Sequence, residues 1–126
     1  VALLGAVEVI NPVMMDTLDA AALCKMNERG QIKGCVLDGP LALDNAVSAE
    51  AARHKKIKSS VAGSADILLV PNIPTGNVSI KALTYYAKKD MASAIAGASA
   101  PVIMTSRTDS IRNKILSMAL AVYLSK

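Results

Sequence analysis

Between positions 105 and 110 the chain reads TSRTDS, three kinds of short polar side chain gathered around a single arginine. The stretch leads into Ser110 to about Ser125, where apolar residues recur at helical spacing, so Arg107 falls at the start of a predicted helix. Unpaired backbone N–H groups and the macrodipole make such a start favour anions, and a cation there has the wrong sign. Arg107 is better accommodated with an anion beside it. A phosphate or acyl phosphate group, held by a guanidinium fork and free N–H groups, would supply one. Two other stretches have the composition of ligand loops. VPNIPTGN, 70–77, joins an apolar run to a helical-looking segment from Val78 to Lys88, and Thr75, Gly76 and Asn77 could cap that helix or present donors to a ligand. DGPLALDN, 38–45, puts Asp38 and Asp44 six apart at a strand-to-helix junction, where a turn starter and a first-turn carboxylate account for them from composition alone.

Other chemistry finds little support. There is no GxGxxG, no GxxxxGK[ST] and no HExxH, so a dinucleotide fingerprint, a P-loop and a zinc protease site have no basis. His54 is the single histidine and sits in a basic helix end with Arg53, Lys55, Lys56 and Lys58, which fits a solvated face better than a catalytic triad. Cys24 and Cys35 are too few and too far apart for a metal clip or a CxxC pair, and read as reduced cysteines of a cytoplasmic protein. The formal charge of +4 suggests no more than a preference for anionic ligands. With aromatics at 2%, there are no stacking platforms for single-stranded nucleic acid. No apolar run approaches the roughly 20 residues of a membrane span, and no signal peptide pattern is visible.

The elements that must position these residues follow from periodicity. At 126 residues and 52% hydrophobic, the chain is expected to form one domain over 1–126. Val1 to Val9, Gly34 to Leu37 and Asp66 to Val70 read as buried strands, with Met91 to Gly97 and Pro101 to Thr105 as further candidates. Between them come a helix capped by Asp16 or Thr17, with Leu18, Ala22 and Met26 inward and Gly30 as its C-terminal cap, and a helix from Leu41 or Leu43 to Lys55 with Ala46, Val47 and Ala51 inward. The last helix is expected to bury Ile111, Ile115, Met118, Ala119 and Val122. Apolar strands alternating with amphipathic helices predict an α/β fold with a mostly parallel sheet covered on both faces. In such sheets ligands sit beyond the carboxyl ends of strands, which selects the loops 8–15, 38–44, 71–77 and 106–109. The apolar run opening at Val1 without a polar lead-in suggests a piece of a longer protein.

Three blocks, VLDGPLALDNAVSAEAARHK, ADILLVPNIPTGNVSIKALTYYAKK and GASAPVIMTSRTDS, resemble in that order the C-terminal half of the phosphate acetyl/butyryltransferase family, and the ALDNAVS and SRTDS forms look more like its butyryl branch. The resemblance covers essentially the whole chain. It implies a fold shared with the isocitrate and isopropylmalate dehydrogenases, and a reversible acyl transfer in which acyl-CoA plus phosphate gives acyl phosphate plus CoA. Such a site needs donors for the developing oxyanion, cations for phosphate and a base for the thiol proton. By similarity, Ser106 would donate to the acyl oxygen and Arg107 would hold phosphate or the carbonyl. Thr75, Gly76 and Asn77 match the family's TGN loop, and Asp38 and Gly39 its DGP/DGE loop. CoA is implied as a substrate, with no metal and no separate cofactor, and a homo-oligomer is expected. Two departures stand out. Thr108 follows the Ser-Arg pair where acetyl-branch sequences commonly have Gly, and Asn113 stands where a later acidic residue serves as proposed thiol base, leaving Asp109 as the nearest carboxylate, which a helix N-cap explains equally well. Lys56 stands where similar sequences often have a helix-ending Gly. The other readings are an acetyl-specific enzyme of the same family, and a non-catalytic module that binds CoA or another anion.

Overall fold

The computed structural model describes residues 1–125. Its elements are β1 (Ala2–Leu4), α1 (Met15–Glu28), β2 (Asp38–Leu41), α2 (Leu43–Val47), α3 (Ala49–His54), β3 (Leu68–Leu69), α4 (Ile73–Tyr85) and α5 (Ile111–Leu124). The chain divides into two compact units, Val1–Gly76 and the residues from Asn77 onward. No helix among the described residues is long and apolar enough to cross a membrane.

The first unit is built on a three-stranded parallel sheet of order β2-β1-β3, in which Ala2 pairs with both Asp38 and Leu68. Successive side chains on β1 point to opposite faces. Ala2 joins Leu41, Ala46 of α2 and Val61 in one buried cluster, with Leu4 against it, while Leu3 lines a cavity with Ala20 and Leu23 of α1. The α/β expectation with a parallel sheet is therefore met in this unit, although the strands are shorter than the apolar runs that announced them. A strand lasts only as long as its neighbours' N–H and C=O groups face it. β3 offers two residues, so pairing on that side stops at Leu3. The second strand also lies further along than expected, at Asp38–Leu41 in place of Gly34 to Leu37, because Asp38 N–H donates to Val1 O (3.1 Å) and Gly5 N–H to Leu41 O (2.9 Å).

The helices of this unit show which periodic positions win. α1 buries Thr17 and Ala20, whereas Ala22 and Met26 are exposed, a rotation away from the expected Leu18, Ala22, Met26 face. Thr17 is inside because its hydroxyl ties down the loop before the helix: it donates to Met14 O (2.7 Å) and accepts from Asn11 N–H (2.8 Å). It therefore does not cap α1, and neither does Asp16, since the N-cap is Met14 with no side-chain bond. The C-terminal end is as expected. Gly30, at φ +74°, donates to Asn27 O while Gln31 N–H reaches back to Met26 O, a Schellman arrangement. The single helix expected from Leu41 or Leu43 to Lys55 is two, α2 and α3, broken at Ser48, whose side chain accepts from Ala51 N–H and so caps α3. Ala46 is inward as expected and Val47 is exposed. Lys56, after α3, has φ +55°, the left-handed conformation for which a glycine would be the unstrained choice.

One charged cluster ties the loop after β1 to α2 and α3. Lys55 pairs with Glu8 and, at 3.0 Å, with Asp44, and the fully buried Asn45 donates its Nδ2 to Glu8. The hydrogen bonds from Lys55 hold both carboxyls below their ordinary range, and the bond to Glu8, followed by that to Asp44, holds the Lys55 ammonium above its own. The depressed carboxylates contribute stability above their unfolded pKa, and lose it as pH falls through the folded values. The raised lysine contributes below its unfolded pKa and loses it as pH rises through its folded value. The cluster's contribution is thus greatest between about pH 5 and pH 10. Lys55→Met is expected to lower the urea midpoint more at pH 7 than at pH 3; an equal loss at both would show that the charges contribute nothing and the packing of the stem everything.

In the second unit, the two strands expected at Met91 to Gly97 and Pro101 to Thr105 do not form, and one backbone bond, Ile95 N–H to Val102 O at 2.9 Å, joins the segments. The N–H groups of the first segment go instead to side chains of α5: Met91 N–H to Asn113 Oδ1 (3.2 Å) and Ser93 N–H to Ser117 Oγ (3.0 Å). That explains a second correction. α5 buries Asn113, Ser117 and Ala121, one face at i, i+4, i+8, and leaves the expected stripe outward, with Ile111 78% exposed and Ile115, Met118 and Val122 about half exposed. A helix that must satisfy a neighbour's backbone turns its polar positions inward.

Candidate functional site

The TSRTDS stretch forms a tight turn ahead of α5. Asp109 N–H donates to Ser106 O (3.1 Å), and Ser106 N–H donates to Asp109 Oδ2 (2.7 Å), so the carboxylate and the backbone close the same loop twice. Ser110 is the N-cap of α5 and accepts from Asn113 N–H, which leaves Arg107 outside the helix rather than in its first turn. Its guanidinium is exposed and makes no ion pair among the described residues. Ser106 Oγ lies 3.0 Å from Thr108 Oγ1, which also accepts from the Tyr85 hydroxyl at 3.3 Å.

Ser106, Thr108 and Asp109 line a cavity of about 230 Å³ within the second unit, shared with Asn77 and Ile80 of α4. Asp109 is the one carboxylate on its wall, and Arg107 is not part of the lining. Of the sequence-selected residues, this unit therefore brings together Ser106, Asp109 and Asn77 around one space, with Arg107 in the adjoining turn. Tyr85 and Met91, which the sequence did not single out, belong to the same wall; the apolar character of such positions gave no signal separable from core.

The remaining candidates lie in or at the edge of the first unit, and their settings differ from the loops expected. VPNIPTGN is mostly helix. α4 starts at Ile73, and Asn72 caps it, its Oδ1 accepting from Thr75 N–H (2.9 Å) and the Thr75 hydroxyl (2.8 Å). Pro74 falls in the first turn, where its missing N–H costs no helical bond. Thr75, Gly76 and Asn77 thus occupy the opening of a helix and not a rigid turn before one. Gly76 lies close to Val70, the residue after β3, since a Cβ there would approach its Cγ2 to 3.1 Å. Asp38 and Gly39 are likewise inside β2 and not in a loop beyond it. Asp38 Oδ1 accepts from Gly39 N–H, and a Cβ on Gly39 would meet Leu3 Cβ at 2.6 Å, so this glycine is required by strand packing. The loop 8–15 is occupied by its bonds to Thr17.

A larger cavity, about 370 Å³, lies at the carboxyl ends of β1 and β3, between Leu4, Leu69, Val70, Pro71 and α1. Asp16 and Asp19 both line it, which sets it against an anionic ligand and directs attention to the smaller cavity beside Arg107's turn. Cys24 is no alternative nucleophile. Burial, reinforced by the charge of Asp38, pushes its thiol pKa up, and its Sγ lies 3.7 Å from Gly39 O.

The family model described as phosphate acetyl/butaryl transferase matches residues 1–122. A phosphate butyryltransferase of Clostridium acetobutylicum is 58% identical over 125 residues, 99% of this chain and 42% of that protein. A phosphate acetyltransferase of Thermotoga maritima is 56% identical over 121 residues, 96% of this chain and 41% of that protein. Among solved structures, a branched-chain phosphotransacylase from Enterococcus faecalis V583 superposes with a TM-score of 0.86 at 36% identity, covering 98% of this chain and 44% of that one. The chain thus spans about two fifths of the length of the relatives it matches. With one family model running through both compact units and across the Ser106–Asp109 turn, the chain belongs to the phosphate acetyl/butaryl transferase family.

Proposed function

We propose that this chain is part of an acyltransferase interconverting butyryl-CoA plus phosphate with butyryl phosphate plus CoA. The observation that carries the reading is its similarity, over nearly all its length, to a phosphate butyryltransferase. The chemistry is a carbonyl substitution. A phosphate oxygen attacks the thioester carbon, the new C–O bond forms as C–S breaks, and CoA leaves as thiolate to take up a proton. In reverse the CoA thiol loses that proton and attacks the acyl phosphate, releasing phosphate. Ser106 donates its hydroxyl to the carbonyl oxygen as negative charge develops there, and Arg107, exposed and without an ion pair among the described residues, holds the phosphate. Asp109 exchanges the thiol proton. Its support is position, as the single carboxylate on the cavity wall, and its Oδ2 also keeps the turn closed. Proton transfer and charge stabilisation are all the scheme asks of the protein.

A second reading, an acetyl-specific enzyme of the same family, is favoured by the 56% identity to the Thermotoga maritima phosphate acetyltransferase. The deciding measurement is CoA release followed with a thiol reagent from acetyl-CoA, butyryl-CoA and isobutyryl-CoA, with and without phosphate, in the full-length protein. Phosphate-dependent release fastest with butyryl-CoA is the expected result. Fastest release from acetyl-CoA would move the assignment to the second reading, and no phosphate-dependent release from any of the three would leave a binding module. The 126 residues alone are expected to turn over far more slowly than the full-length protein, because preorganisation needs every wall of the site.

A further inference from the structure

Besides Asn77, Asp109 and the cation Lys81, the lining of the cavity in the second unit is of two kinds. One is a run of hydroxyls. Tyr85 donates to Thr108 Oγ1, which lies 3.0 Å from Ser106 Oγ with either hydroxyl able to donate, and Thr108 N–H donates to Ser106 Oγ at 3.4 Å. Where Thr108 takes the donor role, Ser106 has its single proton for a ligand oxygen. The other kind is apolar: Ile80, Met91, Ala92 and Met104. Ser93 and Ser117 also reach the wall but are committed elsewhere. Ser117 donates to Asn113 O (2.8 Å) and accepts from Ser93 N–H (3.0 Å), and Ser93 donates to Met104 O (3.2 Å). Ile80 and Met104 are 51% and 75% exposed, apolar surface that a bound alkyl chain would favourably remove from water. The volume, about 230 Å³, exceeds the roughly 150 Å³ of an apolar cavity known to take benzene, so there is room for more than an acetyl group.

We propose that this cavity receives the acyl chain of the substrate, with the carbonyl oxygen at the Ser106 hydroxyl and the alkyl tail against Ile80, Met91 and Met104, and that Met91 and Ala92 set the longest chain accepted. The assignment rests on the acyl-transfer reading above. Arg107, outside the lining, is left for the phosphate, so the two ends of an acyl phosphate fall to different side chains of one turn. Met91 is suited to the role, being half-buried and conformationally adaptable.

Two variants of opposite sense test this in the full-length protein: Ala92→Leu to fill the cavity and Met91→Ala to enlarge it. Dissociation constants for acetyl-, butyryl- and hexanoyl-CoA are measured by calorimetry without phosphate, and kcat/KM for the same three with phosphate. One methylene in an apolar pocket is worth about tenfold or more. Ala92→Leu is therefore expected to weaken hexanoyl-CoA and butyryl-CoA at least about tenfold relative to acetyl-CoA, and Met91→Ala to favour hexanoyl-CoA over butyryl-CoA by a similar factor. Acyl-CoA ratios unmoved by both variants, in binding and in turnover, overturn the assignment while leaving the reaction intact. Chain-length-dependent binding that shifts with the variants, in a protein showing no phosphate-dependent CoA release, would keep the cavity and sink acyl transfer instead.

Discussion

Replacing Arg107 with Gln is expected to lower kcat/KM for phosphate-dependent CoA release by about 10²- to 10³-fold, the range seen when one preorganised donor is removed from a developing charge. The reason is local. The guanidinium is exposed, sits outside the first turn of α5, and makes no ion pair with any described residue, so folding gives it no partner to stabilise. Its loss should therefore leave the thermal midpoint nearly unchanged, which separates a functional role from a structural one. The KM for phosphate should rise, and Arg107→Lys should recover only part of the loss, because an ammonium keeps the charge but not the bidentate fork. Initial rates over a phosphate series in the full-length protein read the three kinetic effects, and a thermal melt reads the midpoint. Activity within about threefold of the unmodified protein in Arg107→Gln would remove Arg107 from the site, since even one good charged hydrogen bond is worth more than that.

The largest stability effect is expected at Gly63. Its φ of +82° belongs to the left-handed region, and a Cβ built there would come within 2.5 Å of Ala49 Cα and 2.8 Å of Ala49 N. Both neighbours are backbone at the start of α3, which Ser48 caps, so neither can swing aside as a side chain would. Gly63 N–H also donates to Asn45 O at 2.7 Å, which ties the close approach to the buried α2. Gly63→Ala combines a left-handed strain of about 1–2 kcal/mol with an overpacking cost of about 1–3 kcal/mol. Gly30→Ala is the control. Its φ is +74° but nothing lies within 4 Å of its Cβ position, so it should show the strain alone. Urea unfolding of the two variants should give a midpoint clearly lower for Gly63→Ala, and equal losses would mean that the main chain at Ala49 relaxes at little cost.

Much of this molecule could be read from residue order. The alternation of apolar runs with helical periods announced a parallel α/β arrangement, and it holds in the first unit because βαβ-like crossovers leave few other ways to bury such runs. Gly30 as the end of α1 and Ser110 as the start of α5 follow from local chemistry, since a left-handed cap and a hydroxyl acceptor act within one turn of the chain. The TSRTDS stretch was legible as the lead-in to a helix, but the sequence put Arg107 at the helix start and the structure leaves it in the preceding turn, outside α5. Family membership follows from the same short blocks, whose order and spacing carry more information than any one motif.

Tertiary structure alone decided which face of each helix turns inward, and how long each strand could be. Periodicity reports where apolar residues recur; it does not report which neighbour must have its backbone satisfied. Thr17 is buried because the Asn11–Met14 loop needs its hydroxyl, and Asn113 and Ser117 are buried because Met91 and Ser93 have N–H groups and no strand to pair with. Both overrule the hydrophobic stripe, since an unpaired buried N–H costs about as much as an exposed aliphatic side chain forgoes. VPNIPTGN became a helix start for a similar reason: Asn72 bonds forward to Thr75, and Pro74 fits a first turn as readily as a loop. The cavity beside Ser106 was beyond sequence reading altogether, because Asn77, Tyr85, Met91 and Met104 meet around it only once the chain has folded.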